Sequence, residues 1–171
     1  MIRLIIYYLT IFFLFSILGR LGEFLAYPII KKSVIKRGFL RGPWCPIYGF
    51  GAIIVILIIK TTNNIITFTL LSTIIFSIIE YETSYLLERI FNKKWWDYSK
   101  YKFNLNGRIA LIYTISFGLY AVIFRQFVYP NIFIWINMIN INILSMWLWF
   151  ILIVFLIDVV FSVLKCLKDK S

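Results

Sequence analysis

The chain has 171 residues, 62% of them hydrophobic and 20% aromatic, with a formal net charge of +11 at pH 7. Soluble domains hold an apolar share of about 45–50%, so this composition excludes a soluble globular protein and points to one integral membrane domain spanning residues 1–171. Fifteen of the eighteen Lys and Arg residues fall in the stretches 20–41, 89–108 and 165–170, which flank apolar runs; such topogenic charge beside anionic lipid leaves no basic face for nucleic acid.

The first apolar run, about Leu4 to Leu25, has the roughly 20 residues that cross a bilayer. Only Arg3 precedes it and no small-residue cleavage site follows, so it is expected to be a retained helix and not a signal peptide. The second run, Pro46 to about Thr62, is short for a span: its apolar part reaches only to Lys60, roughly 22 Å of helix. Either the bilayer thins there, or the Gly/Pro-rich loop ahead of it dips into the membrane and supplies the missing depth; the second is the favoured expectation. Runs three (Ile65 to Leu87), four (Ile109 to Val128) and five (about Leu144 to Leu164) are of ordinary length. The expected fold is therefore all-α, a bundle of about five transmembrane helices. The segment Asn131 to Asn142 suits an outer interfacial stretch or an extension of the last helix.

Basic residues number six in the first loop, six in the third and three in the tail, against one each at the N-terminus, second loop and fourth loop. The positive-inside rule then places the N-terminus outside and the C-terminus inside. Tyr7, Tyr8, Trp147 and Trp149 fit an outer aromatic belt, and Trp44, Trp95 and Trp96 an inner one. Arg125, near the outer end of run four, is placed to snorkel.

Three carboxylates lie where hydrocarbon is expected. Glu80 sits about seven residues, roughly 10 Å, from the inner end of run three, and Asp158 six residues from the inner end of run five, while Glu23 closes run one with Arg20 one turn before it. Ionised carboxylates at that depth are turned inward, paired or protonated. Two readings stand side by side: the acids hold helices together through Arg20, Arg108 or backbone amides, or they form an intramembrane binding layer. Along run three, Glu80, Ser84 and Glu88 share one slowly turning face, with Glu82 about 200° from Glu80.

Two inner loops carry motif-like chemistry. In Arg37 to Gly51, four glycines and two prolines precede the short second run; Tyr48, Gly49 and Gly51 lie at its start. Glycine permits close approach and the X-Pro positions favour extended chain, which makes this either a re-entrant element lining a cavity or a tight hairpin. The other loop holds Trp95-Trp-Asp-Tyr-Ser99 and Phe103-Asn-Leu-Asn-Gly-Arg108. Asp97, Asn104 and Asn106 offer hydrogen bonds that cap or bridge helix ends, and Arg108 can reach an acid or a lipid phosphate. Cys45 and Cys166 both fall on the inner side and are expected to be reduced thiols. With no histidine in the chain they make no zinc site, and no metal or cofactor is expected.

The segments RGFLRGPWCPIYGFGA, IIEYETSYLLERIF, KKWWDYS and FNLNGRI, in this order and spacing, resemble the small bacterial membrane proteins of the ABC-transporter type IV permease family, over roughly residues 15–128. The late acid in FLIDVVFSV resembles the family's C-terminal end more loosely. In the G-x-x-x-E element of the first helix, Arg20 stands where the family usually has an aromatic. The resemblance implies a permease or transport-accessory subunit working with a separate ATPase. The chain has no G-x-x-x-x-G-K-[ST] phosphate loop and no recognisable catalytic constellation, so it is not expected to be an enzyme itself. Five helices are few for a pore, which points to a homodimer or a second membrane subunit. Two other classes are open on residues alone: a sensor or scaffold whose basic loops bind anionic lipid or a cytoplasmic partner, and a lipid-acting enzyme using a Glu80/Asp158 pair.

Overall fold

The computed structural model describes residues 2–26 and 38–169. Lys31, Lys32, Lys36 and Arg37 of the first basic stretch, and Lys170 of the last, lie outside the described residues. Five helices follow one another: α1 (Ile2–Ala26), α2 (Pro46–Thr61), α3 (Ile65–Phe91), α4 (Leu111–Met138) and α5 (Ile141–Lys168). All but α2 are long and apolar enough to cross a membrane. Two short strands, β1 (Asn104–Leu105) and β2 (Ile109–Ala110), pair antiparallel between α3 and α4.

Local chemistry sets each boundary. Pro46 opens α2, where its missing N–H costs nothing. Asn64 caps α3 by accepting from the backbone N–H groups of Ile66 (2.9 Å) and Thr67 (3.1 Å). Asn92 ends α3 in the left-handed region at φ 53°. Asn140 caps α5 through the Asn142 N–H at 2.9 Å. Asn137 lies in the last turn of α4 and Asn142 in the first turn of α5, so the 131–142 stretch is shared between two helices.

Helix α4 differs from the expected Ile109–Val128 at both ends. Residues 109–110 are drawn into the strand pair, so the helix starts at Leu111. At the other end it passes through Pro130 by way of a π turn, Phe124–Val128, in which the Tyr129 N–H bonds the Phe124 carbonyl. Proline cannot donate to the usual i−4 carbonyl, and the wider i→i+5 turn absorbs that loss without ending the helix. Arg125 lies on this turn. Its Nη2 donates to the Asn63 carbonyl at 3.0 Å and its guanidinium lies 4.8 Å from the centre of the Phe68 ring, so it is tied to the α2–α3 connection.

Packing is closest between α1 and α2 and between α3 and α4. Gly118 of α4 sits against Thr69 and Thr73 of α3, where small residues let the backbones approach without bulky side chains between them. The larger core gathers Ile11, Phe12 and Phe13 of α1, Val55 and Ile56 of α2, and Leu144 and Leu148 of α5. Phe12, Phe13 and Trp44 all meet Phe155 edge-on. A smaller core of Phe91, Trp95, Trp96, Tyr98 and Ala110 closes one end of the bundle, joined by Phe39 from the first loop and by Val163 and Cys166 from α5. We refer to this as the loop end, since both folded loops meet there.

The first loop folds into the bundle at that end. The Cys45 N–H bonds the carbonyl of Ser16 at 2.9 Å, and Ser16 lies ten residues, about 15 Å of helix, before the end of α1. Trp44 packs edge-on against Phe13 at 6.3 Å between ring centres. This explains the 16 residues of α2: the helix begins deep because the irregular chain ahead of it has already entered the bundle.

Candidate functional site

The loop end places the three carboxylates in different settings. Asp158 faces the first loop and accepts from the backbone N–H groups of Gly42 (2.9 Å) and Arg41 (3.2 Å) and from Trp44 Nε1 (3.0 Å). Ser162, one turn on, adds a contact at 3.4 Å. The chain bends at Arg41 and Gly42 so that two consecutive amides reach one carboxylate, and a charged acceptor strengthens each bond.

Glu23 meets the same segment three residues further along. It accepts from Tyr48 Oη (3.1 Å), lies 3.9 Å from Cys45 Sγ, and pairs with Arg20 of its own helix at 3.3 Å. Arg20 is thus an ion-pair partner of Glu23 one turn along the same helix. The segment Arg41 to Tyr48 is held between one acid on α5 and another on α1.

Glu80 belongs to the second loop. It is buried, 5% exposed, and accepts from Tyr98 Oη at 2.8 Å. Tyr98 is fully buried beneath Tyr113, their ring centres 4.4 Å apart, and Tyr113 Oη meets Tyr101 Oη at 3.0 Å. Ser84 is buried one turn below Glu80, while Glu82 is exposed. Glu88, a further turn on, binds Arg108 Nη2 at 2.6 Å and lies 3.9 Å from Lys94 Nζ. Arg108 also spreads over the rings of Tyr81 and Tyr85 at 5.6 and 5.4 Å, an arrangement suited to a planar guanidinium.

Glu23 and Asp158 thus seat the first loop, and Glu80 seats the second. Gly49 and Gly51 act as close-contact positions of α2, Gly49 against Phe12 and Ser16 of α1 and Gly51 against the Phe76 ring of α3.

The polar residues of the second loop build a turn that the sequence reading did not name. Asn106 and Gly107 both have positive φ, 54° and 70°, and the Arg108 N–H bonds the Leu105 carbonyl at 2.9 Å. Positive φ at both central residues is the turn an Asn-Gly pair favours, here set in a three-residue connection because Leu105 pairs with Ile109, so the signal was present in the residues themselves. Asn104 does not cap a helix. It closes the loop on itself, donating to the Tyr101 carbonyl (2.7 Å) and accepting from the Gly107 N–H (2.8 Å). Asn106 does bridge to a helix, donating to Tyr81 Oη at 2.8 Å. Trp96 Nε1 fixes the hairpin to the loop through the Arg108 carbonyl at 3.0 Å.

Asp97 likewise serves the loop and no helix end. The Ser99 hydroxyl, then the Ser99 backbone N–H, then the charges of Lys94 and Lys100 hold its carboxyl below the usual carboxylate range. A depressed folded-state pKa means its contribution to the turn is complete above the ordinary value of about 3.9 and disappears as pH falls through the folded value. Ser99→Ala is expected to move the Asp97 titration back up toward that ordinary value. Carbon-detected NMR titration of the carboxyl group reads it directly, and an unmoved midpoint refutes the assignment.

A family model described as "Putative ABC-transporter type IV" matches residues 10–163. That range runs from α1 to α5 and takes in both folded loops. No curated protein and no solved structure matches the chain. With four helices long and apolar enough to span a bilayer, the chain is a membrane protein, and it belongs to the ABC-transporter type IV family.

Proposed function

We propose that this chain is a permease-like or transport-accessory subunit of an ABC-type transporter in the bacterial cytoplasmic membrane, with ATP hydrolysis supplied by a separate subunit. The loop end faces the cytoplasm in this reading. What supports that orientation is the gathering of Lys and Arg in the stretches 20–41, 89–108 and 165–170. All five helices cross the bilayer, the entering loop 38–45 adding the depth that the short α2 lacks; irregular backbone is tolerated at that depth when protein covers it.

The observation that carries the proposal is the seating of Arg41 to Tyr48 between Asp158 and Glu23. Backbone held inside a bundle by carboxylates is a natural moving part, because loss of charge on either acid weakens its seat without disturbing the helices. The loop is then a gate at the cytoplasmic end, Glu23, Glu80 and Asp158 lie along the passage, and a second copy or another membrane subunit completes the enclosure.

Two experiments test this. Purification of the tagged chain from its native membrane in mild detergent, with mass spectrometry of the co-eluting proteins, is expected to give a nucleotide-binding subunit in fixed ratio; recovery of the chain alone contradicts the proposal. Glu80→Gln keeps an acceptor for Tyr98 Oη and is expected to abolish the transport-dependent phenotype at unchanged membrane abundance. Glu80→Ala, which removes the carboxylate acceptor of the buried Tyr98 hydroxyl, is expected to cost about 1–3 kcal/mol of stability as well. If Glu80→Gln merely lowers abundance, the acid holds helices together and lines no passage.

A further inference from the structure

A groove of about 220 Å³ lies where the second loop meets the first turns of α4, walled by Tyr101, Lys102 and Phe103 and floored by Leu111, Ile112 and Ile115. Its two halves have opposite chemistry. The floor is apolar and lies on a helix long enough to span a bilayer, with Ile112 and Ile115 more than half exposed, so hydrocarbon must cover it. The mouth carries the ammonium of Lys102, 5.6 Å from the centre of the Phe103 ring. Among the described residues no carboxylate lies within ion-pair distance of Lys102; Glu88 is taken by Arg108 and Lys94, and Asp97 by Ser99.

We propose that this groove seats an anionic glycerophospholipid, its phosphate on Lys102 and one acyl chain along Leu111, Ile112 and Ile115. Three features point to a lipid over a soluble anion. The cation stands at the very end of a membrane-spanning helix, the level at which bilayer phosphates lie. The floor continues the site into the hydrocarbon, where a soluble anion has nothing to place. The walls are fixed in advance: the Leu111 N–H bonds the Phe103 carbonyl at 2.9 Å, and the Asn106-Gly107 hairpin pins the strands on either side, so little ordering accompanies binding. An uncompensated lysine favours net negative headgroups over zwitterionic ones. The inference does not depend on the transport reading; it needs only that α4 lies in a bilayer with its Leu111 end at the headgroups.

The test is native mass spectrometry of the full-length chain released from detergent containing equal amounts of dioleoyl-phosphatidylglycerol and dioleoyl-phosphatidylcholine. The wild-type chain is expected to retain the phosphatidylglycerol preferentially. Lys102→Gln, on an exposed loop, should weaken that retention about five-fold, while Lys100→Gln leaves it near the wild-type level. Ile115→Trp, which fills the floor, should weaken retention of both lipids, and Ile112→Phe provides a milder filling if the tryptophan variant melts early. Equal retention of the two lipids, or no change in Lys102→Gln, overturns the proposal. So does an equal loss in Lys100→Gln, which marks diffuse charge attraction, or displacement of the lipid by millimolar glycerol 3-phosphate, which marks a soluble-anion site.

Discussion

Asp158→Ala is expected to release the first loop from α5 and to raise the alkylation rate of Cys45 by about 30-fold. Three N–H donors from Arg41, Gly42 and Trp44 converge on this carboxylate, and the alanine leaves them without an acceptor. Hydrogen bonds to a charged group contribute about 1.5–3 kcal/mol, and because the three share one acceptor their loss does not add up; about 2 kcal/mol for the whole seat corresponds to that 30-fold change. Cys45 is the right reporter because it lies in the seated segment, its N–H on Ser16 and its sulfur 3.9 Å from Glu23. Cys166 is replaced by serine in the parent so that one thiol is followed. Asp158→Asn keeps one oxygen acceptor and loses the charge, so it should fall between wild type and alanine, neutral bonds being roughly half as strong. A membrane-impermeant maleimide applied from each side also locates the loop end: fast labelling only in inverted vesicles fits the proposed orientation, and fast labelling only in intact cells reverses it. Unchanged rates in Asp158→Ala mean that the loop is held by its aromatic contacts with Phe13 and Phe155, and the gate reading fails.

Much of this architecture was legible in the residues, and the parts that were not share a cause. The long apolar runs gave α1, α3 and α5 because hydrocarbon-scale length is a property of one segment. Burial of Glu80 and Ser84 on one face of α3, with Glu82 exposed, follows from helical period alone. The continuation of α4 through Pro130 was hidden because it depends on a π turn, a hydrogen-bond rearrangement that no single residue announces. The hairpin at Asn106-Gly107 was the opposite case, a local signal overlooked because the flanking sequence offered only two-residue strands.

For the site, the three acids were visible as charges in apolar surroundings, but their partners were not. Asp158 is satisfied mainly by backbone N–H groups more than a hundred positions away, and a backbone amide looks the same at every residue. Trp44 and Tyr98, whose ring N–H and hydroxyl complete the seats of Asp158 and Glu80, stood in the quoted motifs without a role assigned. Long-range pairing of this kind is fixed by how the loops pack, and the smaller aromatic core of Phe39, Phe91 and Trp95 is what brings both loops to one end.

Gly49→Ala is expected to be a strongly damaging single-methyl change, because the obstacle is backbone. A Cβ at Gly49 would lie 2.5 Å from the carbonyl oxygen of Phe12 and would also meet the Ser16 hydroxyl. A side chain can rotate away; the Phe12 carbonyl belongs to the helix ladder of α1 and cannot, so α1 and α2 must part along their closest contact. Overpacking of this kind costs about 1–3 kcal/mol, and the larger Gly49→Val should prevent accumulation in the membrane. The double change Ser16→Gly with Gly49→Ala removes only the hydroxyl half of the clash and should recover only part of the loss. Two other glycines calibrate the effect. At Gly51 the nearest atom is Cε1 of the Phe76 ring at 2.7 Å, the far end of a side chain that can swing, so Gly51→Ala should cost less. At Gly22 nothing lies within 4 Å, and alanine there should leave stability unchanged or slightly raised through its better helix propensity. Apparent melting temperatures of the detergent-solubilised variants, read by size-exclusion of the fluorescent fusion, should rank Gly22→Ala above Gly51→Ala above Gly49→Ala. Because Gly49 sets the α1–α2 separation at the level where Cys45 is bonded to Ser16, the same substitution should also loosen the entry of the loop. A Gly49→Ala protein that melts like the wild type would mean that the two helices are not held as closely as their contact at Phe12 requires, and the depth assigned to the loop would fall with it.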